Sequence, residues 1–171
     1  TILVSAIARQ HVTVALSGDG GDELFFGYGR YFDAHRIWQY IGGWQASTRK
    51  RLAAILHGAS CCARRLGRLG FRMRRLQHRI TAEGFDDFYS NLLSLSLTPT
   101  AVQCWPQGLV GTSLLPTIPH QLENTATRMM FTDQSLYLPE DILTKVDRAS
   151  MSVALELRPP LLDHRIVEFS W

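Results

Sequence analysis

Val12 to Tyr28 reads V-T-V-A-L-S-G-D-G-G-D-E-L-F-F-G-Y, and the fold turns on this stretch. Val12 to Leu16 is a short β-branched run ended by glycines, which predicts a buried strand. Ser17 to Gly21 then forms a loop, and a helix is expected from Asp22, with Asp22 and Glu23 in the first turn where the helix dipole favours acids. Glycines allow a backbone to approach a ligand closely, and amides at the start of a helix suit a phosphate. Three carboxylates, Asp19, Asp22 and Glu23, repel a bare phosphate, so Mg²⁺ is the natural mediator. The pattern suggests a metal–nucleotide site. A tight strand-to-helix turn carrying solvated acids is the plain alternative.

Other glycine and acid motifs fit poorly. No G-K-[S/T] follows, so the loop is not a Walker A loop, and it is not G-x-G-x-x-G. An EF-hand needs oxygen ligands at alternating positions, which this stretch does not supply. One unit of the calcium-binding nonapeptide repeat does match, but that architecture needs stacked copies and no second copy occurs nine residues away.

Outward from the loop, the chain reads as mainly helical. Thr1 to Gln10 is the end of a helix, with Leu3 and Ile7 at helical spacing. Ser47 or Thr48 caps a helix through Leu52 and Leu56, a basic helix covers about 63–80, and a third covers Phe85 to Leu95. Breaks are expected at Thr98-Pro99 and Cys104-Trp105-Pro106, with a loop from Gln107 to Pro119. Ala126 to Leu138 is helical, and Pro139 restarts a helix at a position where proline is welcome. That helix stops at Arg158-Pro159-Pro160, and Asp163 caps a last one. With a single strand in view, its pairing partner is expected outside this chain.

At 171 residues, 46% apolar and 10% aromatic, the chain can bury a core, which excludes disorder. Basic residues exceed acidic ones by 18 to 15. Ten of the basic residues fall between Arg49 and Arg79 without a single acid, so the remainder is net acidic and a uniformly basic nucleic-acid binder is not expected. The Arg-rich segment reads either as a solvated amphipathic face or as a non-enzymatic binding module for nucleic acid or an acidic membrane. No aromatic stacking platform supports the second reading. Cys61, Cys62 and Cys104 cannot all pair and read as reduced thiols, consistent with a cytoplasmic location. No apolar run is long enough to span a bilayer, so no membrane partner is expected. Thr1 opening directly into Ile2-Leu3-Val4 suggests a fragment.

Ser17 to Phe25, with Gly27-Tyr28 just after, resembles the second signature of the glutamine-hydrolysing asparagine synthetases, and Tyr137 to His164 (Y-L-P-E-D-I-L-T-K-V-D-R-A-S-M-S-V-A-L-E-L-R-P-P-L-L-D-H) resembles the family's downstream signature. The resemblance implies a synthetase domain of the ATP-pyrophosphatase type, α/β and adenine-nucleotide-hydrolase-like in full, of which residues 1–171 are a mainly α-helical part with about one buried strand. It implies that Mg·ATP adenylates a carboxylate, aspartate by default, and that glutamine-derived ammonia displaces AMP. Relatives that amidate sugar carboxylates or close β-lactam rings leave the acceptor open. Matched by position, Ser17, Gly18 and Gly20 would bind the nucleotide, and Asp22 would hold Mg²⁺ and pyrophosphate. Asp19 would serve as general acid/base or orient ammonia. Lys145, Asp147, Arg148, Glu156 and Arg158 would frame the acceptor pocket. For Arg158 an ion pair with Glu156 is as good a reading as a carboxylate clamp, and Asp147–Arg148 also reads as a helix-surface pair. Asp163-His164 reads best as a cap beside a solvated imidazole.

The family's S-G-G-x-D-S pyrophosphate loop, its glutaminase domain with the N-terminal cysteine, and a downstream lysine have no counterpart in these residues. The piece alone is therefore expected to be inactive, and its parent active, with a homodimer compatible. Phe26 stands where the family commonly has glycine, and Pro159 where it has valine.

Overall fold

The computed structural model describes residues 1–62, 76–77, 79–93 and 118–171. The chain forms two compact units, one of residues 1–31 and 114–171, the other of residues 32–113.

The first unit starts with α1 (Ile2–Arg9), β1 (Val14–Leu16) and α2 (Gly21–Leu24), followed by the start of α3 (Gly29–Ile41). Its remaining elements come from the last third of the chain. There α6 (Thr125–Thr132) runs into a π-helix (Asp133–Leu143) and then α7 (Thr144–Met151). β2 (Glu156–Arg158), a 3-10 turn (Pro160–Leu162) and α8 (His164–Ser170) complete it. β1 and β2 pair in parallel, Val14 opposite Glu156, Ala15 opposite Leu157 and Leu16 opposite Arg158. Leu24, Tyr31, Met129, Leu138, Ala149 and Leu155 form its core.

The chain is mostly helical, as its periodicity indicates, with a two-stranded parallel sheet. Two expectations about that sheet are corrected. The partner of β1 lies within this chain, and β1 is not buried: Leu16 is 72% exposed. β2 escapes notice because E-L-R is three residues long and carries two charges. Backbone pairing makes it a strand, with Glu156 N–H donating to Thr13 O at 3.0 Å and Ser17 N–H to Arg158 O at 3.0 Å.

Three helix readings change as well, the first being that the helix expected to stop at Arg158-Pro159-Pro160 already ends at Met151, ahead of β2. The helix expected from Asp22 is a single turn, interrupted at Phe25–Tyr28 before α3 begins. Phe26 adopts φ +58°, the left-handed region where glycine is favoured, and Gly27 N–H returns to Asp22 O at 2.9 Å. Phe26 stacks on Tyr31 in this conformation, with ring centroids 4.6 Å apart. Pro139 does not restart a helix but lies inside the π-helix. Proline has no N–H to donate and its ring crowds the preceding turn, which a widened helix accommodates. Thr144 Oγ1 donates to the Pro139 carbonyl at 2.8 Å.

Side-chain caps set two helix starts. Asn124 Oδ1 accepts from Ala126 N–H at 2.9 Å to start α6, and Asp163 Oδ1 accepts from Arg165 N–H at 3.0 Å to start α8, as expected.

In the second unit, α4 (Ala46–Cys62) runs through Leu52 and Leu56 as expected, but Ser47 and Thr48 lie inside its first turn and do not cap it, and α5 (Phe85–Leu93) falls within two residues of the helix expected there. Ile41, Ala53, Ile80, Phe88 and Tyr89 are buried, and Trp38 packs on Phe85 and Phe88 at centroid distances of 5.6 and 5.4 Å. Arg49, which opens the basic run, is buried here: its guanidinium donates to Ala82 O at 2.8 Å and lies 5.6 Å from the Trp38 ring centroid. Of the basic helix at 63–80, residues 76–77 and 79–80 are helical. Its other residues, the breaks at 98–99 and 104–106, and most of the 107–119 loop lie outside the described residues.

Candidate functional site

In parallel sheets, ligands bind beyond the carboxyl ends of the strands. Here Leu16 and Arg158 are register partners, so the Ser17–Gly21 loop leaves the sheet beside Arg158-Pro159-Pro160. Ser17 is bonded through its N–H to Arg158 O, and a Cβ on Gly20 would collide with Leu162. Two stretches some 140 residues apart in sequence thus form one edge. On the downstream side of this edge lies an open groove of about 880 Å³, lined by residues between Leu157 and Ile166, among them Arg158, Asp163 and Arg165.

Within the loop, the residues divide by what holds them. Ser17 Oγ is buried and has no hydrogen-bond partner among the described residues. Gly18 faces open space. Gly20 sits at φ +91° against Leu162, so its glycine is demanded by the fold itself. Asp19 is half-buried and Asp22 is exposed, and neither has a hydrogen-bond or ion-pair partner among the described residues. Asp22 lies so near Gly27 that any Cβ there would strike its carboxylate.

Glu23 is different. It is 1% exposed, its carboxylate accepts the Tyr28 hydroxyl, and its carbonyl accepts from Gln134 Nε2 at 3.0 Å. Burial, and then the bond to Glu23, push the Tyr28 phenol well above its ordinary pKa. Glu23 is therefore withdrawn from the acid triplet read in the sequence. Among the described residues no three His, Cys, Asp or Glu side chains gather into a metal site. One or two carboxylates nevertheless suit Mg²⁺, which keeps waters and takes substrate phosphates as its other ligands.

Around Tyr28, sequence reasoning missed a cluster. The Arg30 guanidinium lies 3.8 Å from the Tyr28 ring centroid and 4.4 Å from that of Tyr137, and it bonds buried Asp133 at 2.8 Å. Tyr31 O–H also donates to Asp133, at 2.6 Å. The aromatic spacing at 28, 31 and 137 is visible in the sequence, but no local pattern joins residues a hundred positions apart.

The downstream residues are more dispersed. Arg158 Nε bonds Glu156 Oε1 at 2.6 Å on the exposed strand β2, directly beside the loop. Lys145, exposed on α7, bonds Asp141 at 2.8 Å, which raises its pKa. Asp147 and Arg148 are exposed on the same helix. His164 is exposed beside Asp163, whose carboxyl is held well below the usual range by the side-chain bond from Arg165.

The family model described as asparagine synthase matches residues 1–171, the whole chain. The chain belongs to the asparagine synthase family. A Mycobacterium bovis protein provisionally named asparagine synthetase (glutamine-hydrolyzing) is 30% identical over 95% of this chain and 24% of its own length. Bacillus subtilis asparagine synthetase (glutamine-hydrolyzing) 1 is 29% identical over 94% of this chain and 24% of its own. Bacillus subtilis asparagine synthetase (glutamine-hydrolyzing) 3 matches 27% of this chain at 41% identity, over 8% of its own length. The chain thus spans about a quarter of the length of the long-matching relatives. No solved structure matches it significantly. Among the described residues no helix is long and apolar enough to cross a membrane.

Proposed function

We propose that this chain carries the nucleotide-facing part of an ATP-dependent amidotransferase that adenylates a carboxylate and then amidates it with ammonia drawn from glutamine. The in-register pairing of β1 with β2 carries this reading, because it joins the glycine–acid loop to the downstream motif at the carboxyl end of the sheet. Buried Ser17 Oγ, the open face of Gly18 and the unpaired charges of Asp19 and Asp22 fit a magnesium-bound triphosphate. When bound, Mg²⁺ offsets the charge that develops on departing pyrophosphate.

The chain's own residues divide the remaining work. Ser17 and Gly18 bind the nucleotide at the strand end, Asp22 holds the metal, and Asp19 takes a proton from, or orients, the attacking ammonia. Gly20 shapes the loop. Arg158 is placed to grip the acceptor's carboxylate once it exchanges its Glu156 partner. Lys145, Asp147 and Arg148 complete the acceptor side. Aspartate is the default acceptor, and the parent works in the cytoplasm as a glutamine-dependent ligase.

The test uses the full-length product of this reading frame with Mg·ATP, glutamine and aspartate. AMP and pyrophosphate should form only with aspartate present, and Asp22→Ala should abolish them without loss of fold. AMP that requires another carboxylate replaces the acceptor and keeps the chemistry. Undiminished turnover in Asp22→Ala overturns the metal assignment.

A further inference from the structure

We propose that Gln134 is a positioning residue that fixes the acid turn of the glycine loop from the π-helix, and through it the carboxylate of Asp22; the inference rests on the nucleotide reading above. α2 is one helical turn, Gly21–Leu24, and a lone turn has little stability of its own. Left-handed residues flank it, Gly20 at φ +91° and Phe26 at φ +58°. Beyond the burial of Leu24, its placement depends on side-chain bonds from outside the turn, and among the described residues two are present, both on Glu23. The Tyr28 hydroxyl donates to the Glu23 carboxylate, and Gln134 Nε2 donates to the Glu23 carbonyl at 3.0 Å across 111 residues of sequence.

The orientation of the Gln134 amide is determined by its neighbours. The indole N–H of Trp171 is a donor only, and it meets Gln134 Oε1 at 3.2 Å. The amide N–H₂ is thereby turned toward Glu23 O, and only this orientation satisfies both contacts. The π-helix also braces the other anchor, Tyr28. Asp133, adjacent to Gln134, bonds Arg30, and Tyr137 stands edge-on to Tyr28 at 6.2 Å. Wide helical turns of this kind are frequent at functional sites. One buried acid of the turn is thus fastened by both its carboxylate and its carbonyl, which leaves the adjacent Asp22 exposed at a fixed place.

The experiment compares full-length wild type with Gln134→Glu, which keeps size and the acceptor for Trp171 but removes the donor to Glu23. Trp171→Phe, which frees the amide to rotate, is the second variant. Two readouts are taken: hydrogen exchange of the amides at 21–27, and Mg·ATP affinity by calorimetry. Both variants should exchange about tenfold faster at 21–27, with α1 and α6 unchanged, and bind Mg·ATP about tenfold more weakly, the size expected for one lost hydrogen bond. A merely structural role would raise exchange throughout the unit and leave affinity per folded molecule unaltered. That pattern, or unchanged exchange at 21–27, overturns the inference while the nucleotide reading stands. A folded wild type that binds no Mg·ATP overturns both.

Discussion

Asp22 and Glu23 are neighbours of nearly identical chemistry, yet the fold sends one carboxylate to solvent and the other to 1% exposure against Tyr28. A buried acid needs a hydrogen-bond donor, and the phenol supplies it. The Tyr28 phenol, raised in the fold, binds its proton more tightly than in the unfolded chain. Its contribution is accordingly complete below the ordinary tyrosine value of about 10 and is lost as pH rises above it. Tyr28→Phe should flatten the alkaline limb of the stability curve, measured by denaturant unfolding from neutral pH to above 10. An identical slope in wild type and variant would show that another group governs alkaline unfolding. Gly18 offers a complementary case. Its Cβ position is open, so Gly18→Ala should leave the melting temperature nearly unchanged while weakening nucleotide binding, and a variant that binds like wild type would remove Gly18 from the site. The glycines and acids of this loop were legible in the sequence. Which acid turns inward was not, because that is decided by Gln134, which belongs to no motif read there, and by a Tyr28 contact that the motif does not reveal.

At the scale of elements, short pieces owe their form to their partners. β2 is three residues, and no propensity in Glu-Leu-Arg announces it; the edge of β1 creates it. The π-helix hides the same way, since apolar spacing around Pro139 reads equally well as two helices meeting. Other elements were legible: α1, α5 and α8 fall within a residue or two of their expected bounds, and α4 runs through the leucines expected of it. The join between the π-helix and α3 concentrates stability in Asp133, fully buried with Arg30 and Tyr31 as donors. Removing one partner of a buried pair strands the other, so Asp133→Ala should cost about 3–5 kcal/mol in equilibrium unfolding. A loss below about 1 kcal/mol would mean that Arg30 is served well enough by solvent and the two tyrosine rings. The α6 cap is a milder case: Asn124→Ala should cost about 1 kcal/mol by the same measurement.

At the scale of the whole molecule, two signatures far apart in sequence converge on one sheet edge, and the family match over residues 1–171 agrees with the motifs that suggested it. Composition excluded disorder and a membrane span but said nothing of the acceptor, because aspartate and other carboxylates present the same reacting group. The Lys145, Asp147 and Arg148 side chains lie exposed on α7, and the acceptor role read for them rests on the motif alone. In the proposed reaction a carboxylate oxygen attacks the α-phosphorus of ATP and expels pyrophosphate, and AMP is then the leaving group when ammonia takes the carbonyl. The direct measurement follows a heavy-oxygen label placed on the acceptor carboxylate during turnover by the full-length protein. One labelled oxygen should appear in AMP, since the bond from carboxylate oxygen to phosphorus survives when ammonia takes the carbonyl. Label in inorganic phosphate, accompanied by ADP, or AMP free of label from a folded and active protein, would contradict adenylation.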